Sequence, residues 1–105
     1  MKYGLKDTDI QKIQRVFEAF PEVEKVILYG SRAKGNYKPG SNIDFTLIGN
    51  KLDLTITNSI EHKIDDLLLP YLFDISIFEQ ISNQDLIKHI NRVGEVFYEK
   101  SKNAL

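Results

Sequence analysis

The 105-residue sequence has no cysteine, which removes disulfides, thiolate-bound metal and a thiol nucleophile from the chemistry open to it. It has no excess of either charge. Fourteen Lys and Arg stand against 15 Asp and Glu, whereas a general polyanion binder carries a strong basic surplus. No apolar run approaches the roughly 18 residues of a membrane span, and the first residues show no signal-peptide core, so a soluble cytoplasmic protein is expected. Internal repeats, low-complexity tracts and linkers are also missing. The length suits one domain, residues 1–105, able to bury about two-thirds of its unfolded surface without staples. No Gly-Lys-Ser/Thr follows Gly35, which excludes a P-loop.

What is present concentrates in residues 26–48, VILYGSRAKGNYKPGSNIDFTLI. The apolar run Val26 to Tyr29 reads as a covered strand, and it ends at Gly30-Ser31, where glycine permits a sharp turn and close approach. Ser31 suits the start of a short helix through Lys34, whose free N–H groups and dipole would attract a phosphate. Arg32, Lys34 and Lys38 add local positive charge. Gly35, Pro39 and Gly40 mark a loop, in which Tyr37 either stacks on a base or covers the loop. In the second strand, period-two alternation puts Ile43, Phe45 and Leu47 on one face and Asn42, Asp44 and Thr46 on the other. A turn that cradles anions beside inward acidic groups is what a nucleoside triphosphate and its metal need.

Around this segment the spacing predicts a helix over 8–20, capped by Asp7 or Thr8, with Ile10, Ile13, Val16, Phe17 and Phe20 inward and Pro21 as its stop. A second helix is expected over 53–69, capped by Asp53 or Thr55, with Ile56, Ile60, Ile64, Leu67 and Leu68 facing the sheet and Pro70 closing it. Tyr71 to Phe78 reads as a third strand. Asp74 in its middle demands a reason, because Asp is depleted from strands. A last helix is expected from Ser82, with Leu86, Ile90, Val93 and Phe97 as its stripe, a break or close packing at Gly94, and a frayed tail over 101–105. His62 and His89 are expected on helices away from the motif. These elements predict an α+β fold: a mixed sheet of three or slightly more strands, helices mainly on one face, and an open face lined by Asn42, Asp44 and Asp74.

Gly30-Ser31, ten residues, then Asn42-Ile43-Asp44-Phe45 resembles the active-site signature of the DNA polymerase β-like nucleotidyltransferase superfamily. That signature runs apolar strand, Gly-Ser, about ten residues, then acid–apolar–acid–apolar. The string GSRAKGNYKPGSNID is most similar to minimal nucleotidyltransferase (MNT) domains, which are usually encoded beside a helical HEPN-domain partner. The resemblance covers nearly the whole chain and departs at one place, where Asn42 stands for the first acid. It implies a nucleotidyltransferase fold and Mg²⁺-dependent transfer, with two Mg²⁺ ions and ATP as the nucleotide. Asn42, Asp44 and Asp74 would hold metal, and Asp74 would help deprotonate the acceptor. Gly30, Ser31, Arg32 and Lys34 would bind the triphosphate. The implied acceptor is a hydroxyl of the partner HEPN toxin, which makes the chain the antitoxin of a pair.

Asn42 sets the second expectation against the first. An amide oxygen can coordinate a hard cation but brings no charge, so metal binding and turnover should be weakened. The competing reading is an antitoxin of the same fold that neutralises its HEPN partner by binding alone. A module that recognises triphosphate ends of RNA is a third reading, disfavoured by the balanced charge.

Overall fold

The computed structural model describes residues 1–101; the expected fraying of the tail falls mostly on residues outside these. The order of elements is α1 (Asp7–Glu18), β1 (Lys25–Tyr29), α2 (Ser31–Lys34), β2 (Ile43–Ile48), α3 (Leu54–Asp65), β3 (Phe73–Ile77), a 3-10 turn (Phe78–Gln80), α4 (Gln84–Val93) and β4 (Glu95–Glu99). The strands form one mixed sheet in the order β3-β2-β1-β4. β1 is antiparallel to β2 and to β4, and β2 is parallel to β3.

Alternation gives the sheet two unlike faces. Val26, Leu28, Ile43, Phe45 and Leu47 are fully buried on one face, beneath Ile13 and Phe17 of α1 and Ile60 and Ile64 of α3. Phe17 is the central knob, edge-on to Phe45 at 5.4 Å and to Phe97 at 6.3 Å between centroids. Ile27, Tyr29, Asp44, Thr46, Asp74 and Ser76 share the opposite face by register. The sequence reading expected that face to be open, and the structure corrects this. α4 packs on β1 there, and Thr46 is 0% exposed. The end carrying Asp44 and Asp74 remains accessible, with Asp74 exposed and Asp44 half-buried.

The largest departure from the sequence reading is β4. Phe97 continues the stripe of Leu86, Ile90 and Val93 at helical spacing, yet it belongs to a strand. Gly94 is the cause. Its φ of −62° and ψ of 140° leave the helix, and a Cβ there would collide with the Ile90 carbonyl and stand 2.7 Å from Ile27 Cγ2. The chain can therefore pass tightly against β1 only without a side chain. A bulge between Val96 and Tyr98 then turns Phe97 into the core, where Tyr98 also lies 6.1 Å from Phe17.

Helix ends differ locally. Lys6, without a side-chain bond, precedes α1, where Asp7 or Thr8 was expected to cap; Asp7 and Asp9 instead face the dipole from its first turn. Asp53 caps α3 as expected, accepting from Ile56 N–H at 2.9 Å. α3 stops at Asp65, short of 69. Leu68 follows in a left-handed conformation and is 88% exposed, not sheet-facing. Asn83, in place of Ser82, caps α4 by accepting from Asp85 and Leu86 N–H. Among the described residues no helix is long and apolar enough to cross a membrane.

Candidate active site

The site begins where β1 ends. Tyr29 is the register partner of Asp44, and Asp44 is the register partner of Asp74 on the parallel strand. Neighbouring strands lie about 4.8 Å apart, so these three side chains stand in a row across one end of the sheet. Asp74 is exposed and Asp44 half-buried, so neither points into the hydrophobic interior. Asn42 lies just before β2 and is exposed at the same edge.

Gly30 closes the row. It precedes α2 with φ 76° and ψ −158°, a region essentially reserved for glycine, and a Cβ there would collide with the Asp44 carboxylate. The turn and the acid therefore require each other. Ser31 is the first residue of α2, as expected; Gly30 stands before it, and Gly35 ends the helix in the left-handed conformation.

Burial first, then repulsion from Asp74, raises the Asp44 carboxyl above its ordinary 3.8. Attraction to His89 opposes this only when the imidazole is charged, so burial and Asp74 set the direction. The Tyr29 hydroxyl is raised as well, by burial foremost and by the charges of Asp74 and Asp44, while a hydrogen bond with Ser76 lowers it. Two carboxylates thus stand side by side at this end of the sheet, an arrangement suited to a cation.

Two carboxylates and an amide are all hard oxygen donors, which suits Mg²⁺. Among the described residues no group of three His, Cys, Asp or Glu could hold a metal. A cage made wholly of protein is not what Mg²⁺ needs, because it keeps several waters and takes substrate phosphate oxygens alongside one or two carboxylates. The donor set fits an ion completed by a triphosphate.

The basic residues divide. Lys34 is exposed on α2. Arg32 is 2% exposed and points elsewhere. Its guanidinium donates to the carbonyls of Ser41 at 2.9 and 3.1 Å, Tyr3 at 2.9 Å and Pro39 at 3.4 Å. It lies between the rings of Tyr37 and Tyr71, 5.4 and 5.5 Å from their centroids, and Tyr71 in turn donates to Asp9 at 3.1 Å. Tyr37 therefore covers the loop by covering Arg32. This network ties the N-terminal turn and the loop over 35–42 to α2, and so fixes the entry to β2.

His89 was expected away from the motif, but the structure brings it in. Its Nε2 accepts the Gly30 N–H at 3.1 Å. A lone histidine on a helix 59 residues distant carries no local signal, and only the packing of α4 on β1 reveals it. His62 is exposed on α3, as expected.

The sheet order and the helices on it make a nucleotidyltransferase fold, and comparison agrees. Residues 11–103 match the family described as polymerase beta, nucleotidyltransferase, and the chain belongs to that family. A chain of a toxin–antitoxin complex crystallised with AMP-PNP superposes with a TM-score of 0.68 at 19% identity, covering 94% of this chain and 77% of that one. A chain of the MntA–HepT toxin–antitoxin complex gives 0.66 at 15% identity, over 90% and 74% of the two chains. A chain from tri-AMPylated Shewanella oneidensis HEPN toxin in complex with MNT antitoxin gives 0.66 at 15% identity, over 91% and 74%. At these identities the likeness establishes the shared fold. No curated protein matches the sequence.

Proposed function

We propose that the chain is the antitoxin of a cytoplasmic pair and transfers AMP from ATP to a hydroxyl of a HEPN-domain toxin. The observation that carries this reading is the pairing of Asp44 with Asp74 on adjacent parallel strands, against a glycine turn that only a side-chain-free residue can make. Support also comes from relatives of the same fold, one crystallised with AMP-PNP and one with an AMPylated HEPN toxin.

In this reading Asp44 and Asp74 hold Mg²⁺, with Asn42 as a neutral third ligand. The ions supply charge neutralisation and polarise the α-phosphate when bound. Gly30 shapes the turn that receives the triphosphate, Ser31 offers its hydroxyl and amide, and Lys34 offers its charge. Arg32 acts by holding the loop. The acceptor oxygen bonds to the α-phosphorus, pyrophosphate leaves, and in this reading Asp74 takes the hydroxyl proton. The chain is small, so the partner supplies the acceptor surface.

The test is labelled ATP with the co-expressed HEPN protein, followed by mass spectrometry for added AMP. Transfer that disappears in Asp44→Ala is expected. No transfer by the natural chain, together with transfer restored by Asn42→Asp, overturns it.

Asn42 favours a second reading, neutralisation by binding alone, because it removes one charge from a site that needs several. Under that reading Asp44→Ala and Asp74→Ala still neutralise the toxin. Returned toxicity with either one excludes it.

A further inference from the structure

α4 lies on the face of the sheet that carries Tyr29, Asp44 and Asp74, and it reaches the Gly30 turn through the His89 imidazole. The Gly30 N–H donates to His89 Nε2 at 3.1 Å. A backbone N–H can only donate, so Nε2 carries no proton and the hydrogen of the neutral ring sits on Nδ1. The same ring meets Tyr29 edge-on, with centroids 6.1 Å apart and planes at 80°. Tyr29 itself is buried, so the imidazole is oriented by a fixed neighbour as well as by its bond.

The bond acts on a residue that has no side chain to steady it. Gly30 adopts φ 76° and ψ −158°, one of many conformations open to glycine, and its Cα lies against the Asp44 carboxylate. Holding its N–H holds the plane of the Tyr29–Gly30 peptide. That plane sets where the Gly30 Cα stands and where the first turn of α2 begins. The path from His89 to the acid is therefore short: imidazole, Gly30 peptide, Asp44.

The geometry points to His89 as a positioning residue: by accepting the Gly30 N–H it fixes the Gly30–Ser31 turn, and through it the Asp44 carboxylate, in the arrangement that takes a nucleoside triphosphate. The ligand in this statement rests on the nucleotidyltransferase reading; the hydrogen bond does not. Gly30 thus shapes the site, and its amide is committed to the protein. A ring that merely plugged the turn would have the opposite effect, since removing it would free an amide for phosphate.

Two substitutions separate these roles. The side-chain amide of His89→Gln can set an oxygen near the place of Nε2, whereas His89→Leu keeps apolar packing on Tyr29 and loses the acceptor. Both full-length variants are compared with the natural chain for AMP-PNP binding with Mg²⁺ by calorimetry, and for hydrogen exchange of the Gly30 amide by NMR. His89→Leu is expected to stay folded, to bind about tenfold more weakly and to exchange the Gly30 amide about tenfold faster, the size of one hydrogen bond. His89→Gln is expected to recover most of both losses. Binding by His89→Leu as tight as the natural chain or tighter overturns the proposal, and so does a Gln variant as weak as Leu. If the natural chain takes up no AMP-PNP, the nucleotidyltransferase reading falls, and Gly30 exchange alone judges His89. Protection unchanged in His89→Leu then refutes the positioning bond, and protection lost in Leu but regained in Gln upholds it.

Discussion

Replacing Gly30 by alanine tests whether the turn and the acid are coupled as the coordinates imply. Two penalties act at once. The backbone at φ 76° and ψ −158° is essentially closed to residues with a Cβ, a strain of about 1–3 kcal/mol. The new methyl would also collide with Asp44 Oδ2 and stand 3.2 Å from its Cγ, an overpacking worth about 1–3 kcal/mol. Taking roughly 2 kcal/mol for each, the variant loses about 4 kcal/mol of a total near 5–15. At about 4–8 °C per kcal/mol for a domain of this size, its melting temperature falls by roughly 15–30 °C. The steric half can be isolated. Asp44→Ala removes the clashing atoms and leaves only the Asp44 Cβ, 3.6 Å from the new methyl, in ordinary contact. In that background Gly30→Ala should cost only the backbone strain, about 2 kcal/mol. Urea unfolding of the four proteins gives the coupling directly, with about 2 kcal/mol expected between the two sites. Additive costs would mean that Asp44 does not press on Gly30, and the coupling of turn and acid would be wrong.

Two further outcomes follow from the same site. The Asp44 carboxyl is raised above 3.8, so its stabilising share is fully present below that pH and is lost as pH rises through the raised value. Asp44→Asn should therefore match the natural chain in melting temperature near pH 3 and exceed it progressively toward pH 7; a gap that stays constant with pH would refute the assignment. Arg32→Lys keeps the charge but cannot fork to the Ser41, Pro39 and Tyr3 carbonyls, and it should cost about 1–3 kcal/mol in urea unfolding, with faster amide exchange across residues 35–42. An unchanged loop would return Arg32 to the triphosphate.

Much of the molecule was written locally. β1, α2 and β2 follow from an apolar run, a Gly-Ser break and strict alternation, each of which acts within a few residues. Asp74 was legible because an acid within an apolar strand is unusual, and the parallel pairing of β2 with β3 then sets it beside Asp44. β4 was not legible as a strand. Val93 and Phe97 continue a helical period, and the decision between helix and strand falls to Gly94, whose contacts lie on β1 and inside α4. Leu68 was assigned inward by the same periodicity, but the left-handed residue after α3 ends the helix before the stripe can be used.

By itself, the sequence determined the strand–turn–strand motif, the two carboxylates and the neutral amide at 42, because these depend on residue type and on spacing along one segment. Only the tertiary structure decided that Arg32 is not among the exposed basic groups. Burial between Tyr37 and Tyr71 commits Arg32 to backbone carbonyls and leaves Lys34 exposed. Only the tertiary structure, too, brought His89 onto Gly30, since that contact depends on how α4 crosses β1 and on no pattern within either element. Spacing along the chain fixes which face a side chain takes; the partner it meets there is set by the packing of distant elements.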